Sequence, residues 1–398
     1  MLVPKLRFKR EDGSEYPEWK ARQLKDVFVE RNETQTITED APLLSFTIEQ
    51  GVINPEDKKT NKRDFLIKDK DNKKYALTEY NDIIYNPANL KFGAIHRNKL
   101  RRGVVSPIYA IFHTDENPVF MEYIVTNPAF IKKSLKYLEG TVIKLMTLKP
   151  RDFLLMKCHI PCLEEQQKIA DFLSNVDEVI AQSEAEVQNL EQQKKAAMQK
   201  IFSQEVRFKR EDGTEYPAWE EKRLHQLVIP NDKIPVDTSK YRKITIGLRL
   251  KGVSFTETTR EMADKRPFYL RKEGEIIVGK QNYFNGSIAL ITKEFNNTIC
   301  SNAIMSFMPN DSVITLFLLS AISNNKYLKE REYMANGTGQ KELSEKDFLN
   351  FSVSIPCLEE QQKIADFLSA YDEAISYAKQ ELDKWKELKK GLLQQMFV

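Results

Sequence analysis

The stretch of this sequence densest in groups that could do chemistry is Lys91-Phe-Gly-Ala-Ile-His-Arg-Asn-Lys-Leu-Arg-Arg102, which ends against Gly103. Guanidinium groups at Arg97, Arg101 and Arg102 and ammonium groups at Lys91 and Lys99 suit phosphate oxygens or the paired acceptors of guanine. The carboxamides of Asn86, Asn89 and Asn98 match adenine, which presents a donor and an acceptor side by side. A second stretch, Lys280-Gln-Asn-Tyr-Phe-Asn-Gly286, places Lys280, Gln281, Asn282, Tyr283 and Asn285 together without an acid. Arg249 and Lys251 flank a turn ending at Gly252, and Asn336-Gly-Thr-Gly-Gln-Lys341 offers Thr338, Gln340 and Lys341 on a glycine-containing loop. For any one of these residues phosphate contact is the commoner role and base reading the rarer one.

Catalytic arrangements are missing. An amino-methyltransferase needs an Asn/Asp-Pro-Pro-aromatic corner, and Asn86-Pro-Ala-Asn89 and Asn127-Pro-Ala-Phe130 both lack the second proline. No glycine-rich phosphate loop is present, since Gly339 is followed by Gln340 before Lys341. Cys158, His159 and Cys162 have no second ligand pair at zinc spacing, and the four cysteines follow no disulfide pattern. The expectation is a chain with no catalytic site, metal or cofactor of its own.

An internal repeat organises the elements that must position these groups. Arg7-Phe-Lys-Arg-Glu-Asp-Gly-Ser-Glu-Tyr-Pro-Glu-Trp19 returns as Arg207-Phe-Lys-Arg-Glu-Asp-Gly-Thr-Glu-Tyr-Pro-Ala-Trp219, and Ile160 to Ser174 recurs unchanged as Ile355 to Ser369. Between these blocks, residues 25–150 and 225–345 share only a faint pattern: Asp82-Ile-Ile against Glu275-Ile-Ile, Gly93 against Gly286, and an apolar strand ending at Phe112 or Phe307. Something holds the flanks constant while the middles differ. Gene conversion confined to the flanks is the plainer alternative.

After each Ile-Pro comes a long run with apolar residues at three-to-four spacing. The seam is Ile169, Leu173, Val176, Ile180, Val187, Leu190, Ala197 and Ile201, with Ser183 and Lys194 as polar exceptions. Its counterpart is Ile364, Leu368, Tyr371, Ile375, Ala378, Leu382, Trp385, Leu392 and Met396, with Lys389 as the exception. Such a sustained seam predicts a coiled coil. Glu164, Glu165, Glu359 and Glu360 suit the positive end of a helix. Antiparallel pairing would give the chain a pseudo-twofold axis; a parallel homodimer would waste the repeat. The expected fold is α+β: two mixed domains separated by an antiparallel two-helix coiled coil, with divisions at 1–160, 161–203, 204–355 and 356–398.

The formal net charge is only +3, but it is unevenly spread. Residues 20–150 carry 22 Lys/Arg against 17 Asp/Glu, and 220–357 carry 20 against 16, while both helical runs are acidic. The basic excess lies in the divergent domains, where a nucleic acid would be held. The longest apolar stretch, near Val313 to Ile322, is about half a membrane span. Residues 1–10 lack the apolar run of a signal peptide. A cytoplasmic location, away from any membrane, is expected.

Two divergent domains, each followed by a helix opening Ile-Pro-x-Leu-Glu-Glu-Gln-Gln-Lys-Ile-Ala, resemble the specificity subunits of type I restriction–modification systems, over essentially the whole chain. The resemblance implies two target-recognition domains, each reading half of a split site in double-stranded DNA. It implies helices that act as a ruler and dock two methyltransferase subunits, with restriction/translocase subunits joining that core. S-adenosylmethionine, ATP and Mg are then expected on the partner subunits. Lys168, Asp171, Lys363 and Asp366, outside the seam yet identical in both copies, fit one kind of partner docking twice. The competing readings are a methyltransferase or nuclease with its own recognition domains, and a coiled-coil adaptor that binds no DNA.

Overall fold

A computed structural model describes residues 4–58, 73–139, 146–256, 266–334 and 342–397. Thr338, Gln340 and Lys341 lie outside the described residues. The chain forms two compact units, residues 1–182 with 381–398 and residues 183–380, so each unit owns one domain and a part of each long helix.

Unit one is built on an antiparallel sheet ordered Val29–Glu30, Ala110–His113, Ile83–Tyr85, Ile95–Arg97. Unit two repeats that order with Val228–Pro230, Ile304–Pro309, Ile276–Gly279 and Ile288–Leu290. The faint pattern common to the two middles marks the third strand of each sheet, with Ile83, Ile84, Ile276 and Ile277 fully buried. Beta-branched residues buried on both faces are what such a strand requires. Each domain is closed by pairing its first strand with its last: Lys20–Gln23 on Lys157–Ile160, and Glu220–Arg223 on Ser352–Ile355. Aromatic rings fill both cores, Tyr85, Phe112 and Phe153 in one and Tyr283, Phe307 and Phe348 in the other.

The long helices run Leu163–Phe202 and Leu358–Met396. Every seam position named from sequence is buried or half-buried, Ser183, Lys194 and Lys389 included. Within unit one, Met396 packs in the core that holds Ile169 and Leu173, and Lys389 pairs with Asp177. Within unit two, Ile201 packs with Ile364 and Leu368, and Lys194 pairs with Asp372. The end of one helix meets the start of the other in each unit, which is antiparallel pairing. The two lysines that interrupt the seams answer the same aspartate of the repeat, Asp177 in one copy and Asp372 in the other.

Candidate DNA-reading faces and the clasps that hold them

Arg7 and Trp19 of the lead-in segment close on Glu165, a carboxylate with no exposed surface. Arg7 donates Nε to Oε1 at 3.0 Å and Nη2 to Oε2 at 2.7 Å, and the Trp19 indole donates to Oε2 at 3.2 Å. In unit two Arg207 meets Glu360 at 3.2 and 2.6 Å, and Trp219 donates at 3.2 Å. The hydrogen bond to the carboxylate raises the pKa of each arginine above its ordinary value. A buried carboxylate is tolerable only when paired and hydrogen-bonded in this way. Phe8 packs edge-on against Phe172 at 5.5 Å, and Phe208 against Phe367 at 5.6 Å. The identical blocks are therefore the two halves of a clasp, built twice.

A place at a helix start suits Glu165 and Glu360 to the dipole but does not by itself reveal the clasp. The signal was present: Arg7, Trp19 and Glu165 recur together. The clasp also accounts for Lys168 and Lys363, expected to meet a partner. Their ammonium groups donate to the carbonyls of Lys9 and Lys209 at 3.3 and 2.9 Å and lie over the rings of Tyr16 and Tyr216. Their identity in both copies needs no partner to explain it. Asp171 and Asp366 are exposed and accept bonds from Gln167 and Gln362.

Several of the residues expected to contact DNA gather at the turn between the third and fourth strands of each sheet. Asn89 and Asn282 open matching single-turn helices, closed by Gly93 and Gly286 in the left-handed conformation at φ 85° and 76°. Glycine takes this conformation at no steric cost. Domain one gathers Asn86, Asn89 and Lys91 here, all half-buried. In domain two Lys280 is half-buried and Gln281, Asn282 and Asn285 are exposed. The turn carrying exposed Arg249 and Lys251 folds against the same place, with the Arg249 amide donating to the Asn285 carbonyl at 2.8 Å. Arg249 and Leu250 hold φ of 58° and 59°, a strained pair of left-handed non-glycine residues. A cleft of about 900 Å³ lies beside this turn, with Lys195, Arg249 and Asn285 on its wall.

Three of the expected reading residues are corrected. Asn98 is fully buried, donating to Thr78, the Glu79 carbonyl and the Arg101 carbonyl while accepting from the Leu100 amide, so it braces a turn. Tyr283 is fully buried, and its hydroxyl donates to the Ile322 carbonyl at 2.7 Å. Burial raises its pKa well above the ordinary tyrosine value. Arg97 is 10% exposed, held by Glu122 at 3.1 Å and Asn81 at 2.6 Å. Lys99 shares Glu122 at 2.9 Å, Arg102 pairs with Glu79 at 2.6 Å and Arg101 donates to Asn54 at 3.0 Å, though these three remain exposed.

Burial pushes the Cys158 thiol up to about 12, so it is a packing residue rather than a nucleophile. Among the described residues no helix is long and apolar enough to cross a membrane, and no three His, Cys, Asp or Glu side chains gather where they could hold a metal ion.

Comparison with known proteins points the same way as the clasped, duplicated architecture. The family described as "Type I restriction modification DNA specificity domain" matches residues 199–386. The "Putative type I restriction enzyme MjaX specificity subunit" of Methanocaldococcus jannaschii is 23% identical over 97% of this chain and 94% of its own length. The "Type I restriction enzyme MjaVIII specificity subunit" of the same organism is 26% identical over 60% of each chain. The crystal structure of the type I restriction–modification S subunit from M. genitalium covers 100% of this chain and 99% of its own at TM-score 0.59 and 14% identity. A chain from a structural study of complex assembly and conformational transition of the type I R-M system covers 96% of this chain and 97% of its own, at TM-score 0.51 and 15% identity. The family match spans just under half of the chain, and the curated proteins similar to it, one of them along nearly its whole length, are specificity subunits of type I restriction enzymes.

Proposed function

We propose that this chain reads a split, asymmetric site in double-stranded DNA, one half by each domain, and docks two methyltransferase subunits and, through them, restriction/translocase subunits. In this reading it works in the cytoplasm and holds no cofactor; S-adenosylmethionine, ATP and Mg belong to the partners. The observation that carries it is one sheet order and one clasp, built twice, around two turn surfaces that differ in nearly every exposed residue. A constant frame around unlike faces is what recognition of two unrelated half-sites requires. In domain two Arg249, Lys251, Lys280, Gln281, Asn282 and Asn285 are the contact residues of choice, and in domain one Asn86, Asn89, Lys91, Lys99, Arg101 and Arg102.

The test replaces 25–150 with the corresponding segment of another specificity subunit and maps methylated adenines in the reconstituted complex. One half-site changes and the other half and the gap persist. A change in both halves would refute independent reading by two domains.

A further inference from the structure

Each long helix begins with a carboxamide that has left water: Gln166 and Gln361 have essentially no exposed surface. In unit one Gln166 Oε1 accepts from the backbone amide of Asn117 at 3.0 Å, and its Nε2 donates to the Pro161 carbonyl at 3.0 Å and to Glu116 at 2.7 Å. In unit two Gln361 Oε1 accepts from the amide of Ile314 at 2.8 Å, and Nε2 donates to the Pro356 carbonyl at 2.9 Å. An amide N–H only donates and a carbonyl only accepts, so the orientation of both side chains is fixed.

Asn117 and Ile314 stand at the same place in their domains. Each precedes the helix packed into its domain core, Pro118–Thr126 or Thr315–Ser323. The proline carbonyls belong to the step from last strand to long helix. Each glutamine thus ties the body of its domain to the start of the long helix that follows it, by directional bonds of which the one to the proline carbonyl is fully buried and the one to the domain amide partly so. An apolar side chain of the same size would fill the space but leave a backbone N–H and a carbonyl without these partners. Two domains of unrelated surface keep the same bridge.

Discriminating one base pair of gap means discriminating about 3.4 Å and about 34° of rotation between half-sites. Helix length fixes a distance but not the angle at which a domain is carried. The covalent strand, the clasp on Glu165 or Glu360 and the packed helix start hold each domain to its helix, and the glutamine adds directional bonds to the segment before the core helix, which bear on that angle.

We propose that Gln166 and Gln361 are positioning residues for gap selectivity, each holding its domain at a fixed angle to its own long helix without choosing any base. This rests on the split-site reading above.

The experiment uses the complete complex with its methyltransferase subunits. The wild-type site is first mapped, and plasmids then carry both half-sites at the mapped gap and at one base pair less or more. Wild type methylates the mapped gap and discriminates strongly against the others. Gln166→Leu and Gln361→Leu keep the same half-site bases but bring a neighbouring gap to within about tenfold of the mapped one. Gln361→Glu supplies a readout that a loss of packing would not give. Its protonated carboxyl can make both bonds, whereas the carboxylate faces the Pro356 carbonyl with no donor. Its gap selectivity is therefore tight at low pH and lost as pH rises, while Gln361→Leu is loose throughout. Unchanged selectivity in the leucine variants, or a Gln361→Glu profile flat with pH, overturns the assignment. A wild-type complex whose mapped site is not split overturns the split-site reading itself, a result visible before any variant is made.

Discussion

The two domains share a sheet order, a turn and a clasp, yet they spend their positive charge differently. In domain one the cations of the basic stretch are largely engaged within the protein: Arg97 and Lys99 on Glu122, Arg102 on Glu79, Arg101 on Asn54. In domain two Arg249, Lys251 and Lys280 make no side-chain hydrogen bond or ion pair among the described residues. The richer cluster in sequence is the more self-neutralised in space. Counting basic residues measures composition; contact with phosphate depends on which charges keep their valence for a partner.

The clasp is where the two units agree most closely, and breaking it gives the largest effect. Glu165→Ala or Glu360→Ala leaves a partly buried arginine and an indole N–H without their acceptor. Each should destabilise its own unit by about 3–5 kcal/mol, as for a buried pair stripped of one partner. Chemical denaturation followed by hydrogen exchange tests this, and protection should fall first in the unit carrying the substitution. Equal loss in both units would mean the clasps do not act locally.

The cations test the difference. Arg249→Ala with Lys280→Ala should lower the slope of log affinity against log salt by about two units, as for two lost phosphate contacts. Arg101→Ala with Arg102→Ala should lower it by about one unit or less, because both guanidinium groups already have internal partners. Equal slopes for the two double variants would break the contrast between the domains.

Much of this architecture was legible in the sequence because repetition and periodicity are local signals. The seam from Ile169 to Ile201, the polar exceptions Lys194 and Lys389, and the equivalence of Asp82 with Glu275 all survive in three dimensions. What was not legible depends on distant contact. Asn98 reads as a surface carboxamide in a basic run, and only the position of Thr78 and Glu79 shows that it is enclosed. Tyr283 reads as an aromatic among polar residues, and only the helix ending near Ile322 claims its hydroxyl. Glu165 follows a glutamate at a helix start, where both suit the dipole; Glu164 is exposed and Glu165 is buried by a segment about 150 residues earlier in the chain.

Acidification should separate the units further. His96 stands on the rung opposite Ile84, and in unit two Ala289 occupies the same rung opposite Ile277. Its Nε2–H donates to the Ile48 carbonyl at 2.7 Å. Burial lowers its pKa, outweighing the help given to the cation by that bond and by Glu122, and Lys99 lowers it further. A depressed histidine pKa means that the unfolded chain takes up the proton first. The contribution is complete above the ordinary histidine value and is lost as pH falls through it toward the folded value. Unit one should therefore lose stability relative to His96→Ala as pH falls through the ordinary histidine value of 6.5, measured as the difference in denaturation midpoint at each pH. An identical pH dependence in the variant would show that His96 does not contribute.

The smallest effect concerns the two long helices. Ala196 of the first corresponds to Gly391 of the second, at the offset of 195 that relates the identical helix openings. Gly391 is helical, its φ is negative, and a Cβ placed there would meet nothing within 4 Å. Glycine at such a position gives up more backbone freedom on folding than alanine does, so Gly391→Ala should stabilise the protein by about 0.5–1 kcal/mol. The gain arises in the unfolded chain and touches no contact of either domain, so site choice and gap should be unchanged. Ala196→Gly should cost a similar amount, which makes the pair of variants its own control. Thermal denaturation of the two single variants and of the double exchange, which should return close to wild type, is the measurement. Destabilisation by Gly391→Ala would mean that the second helix needs its glycine to bend or to let a partner approach, and that the two helices are not equivalent after all.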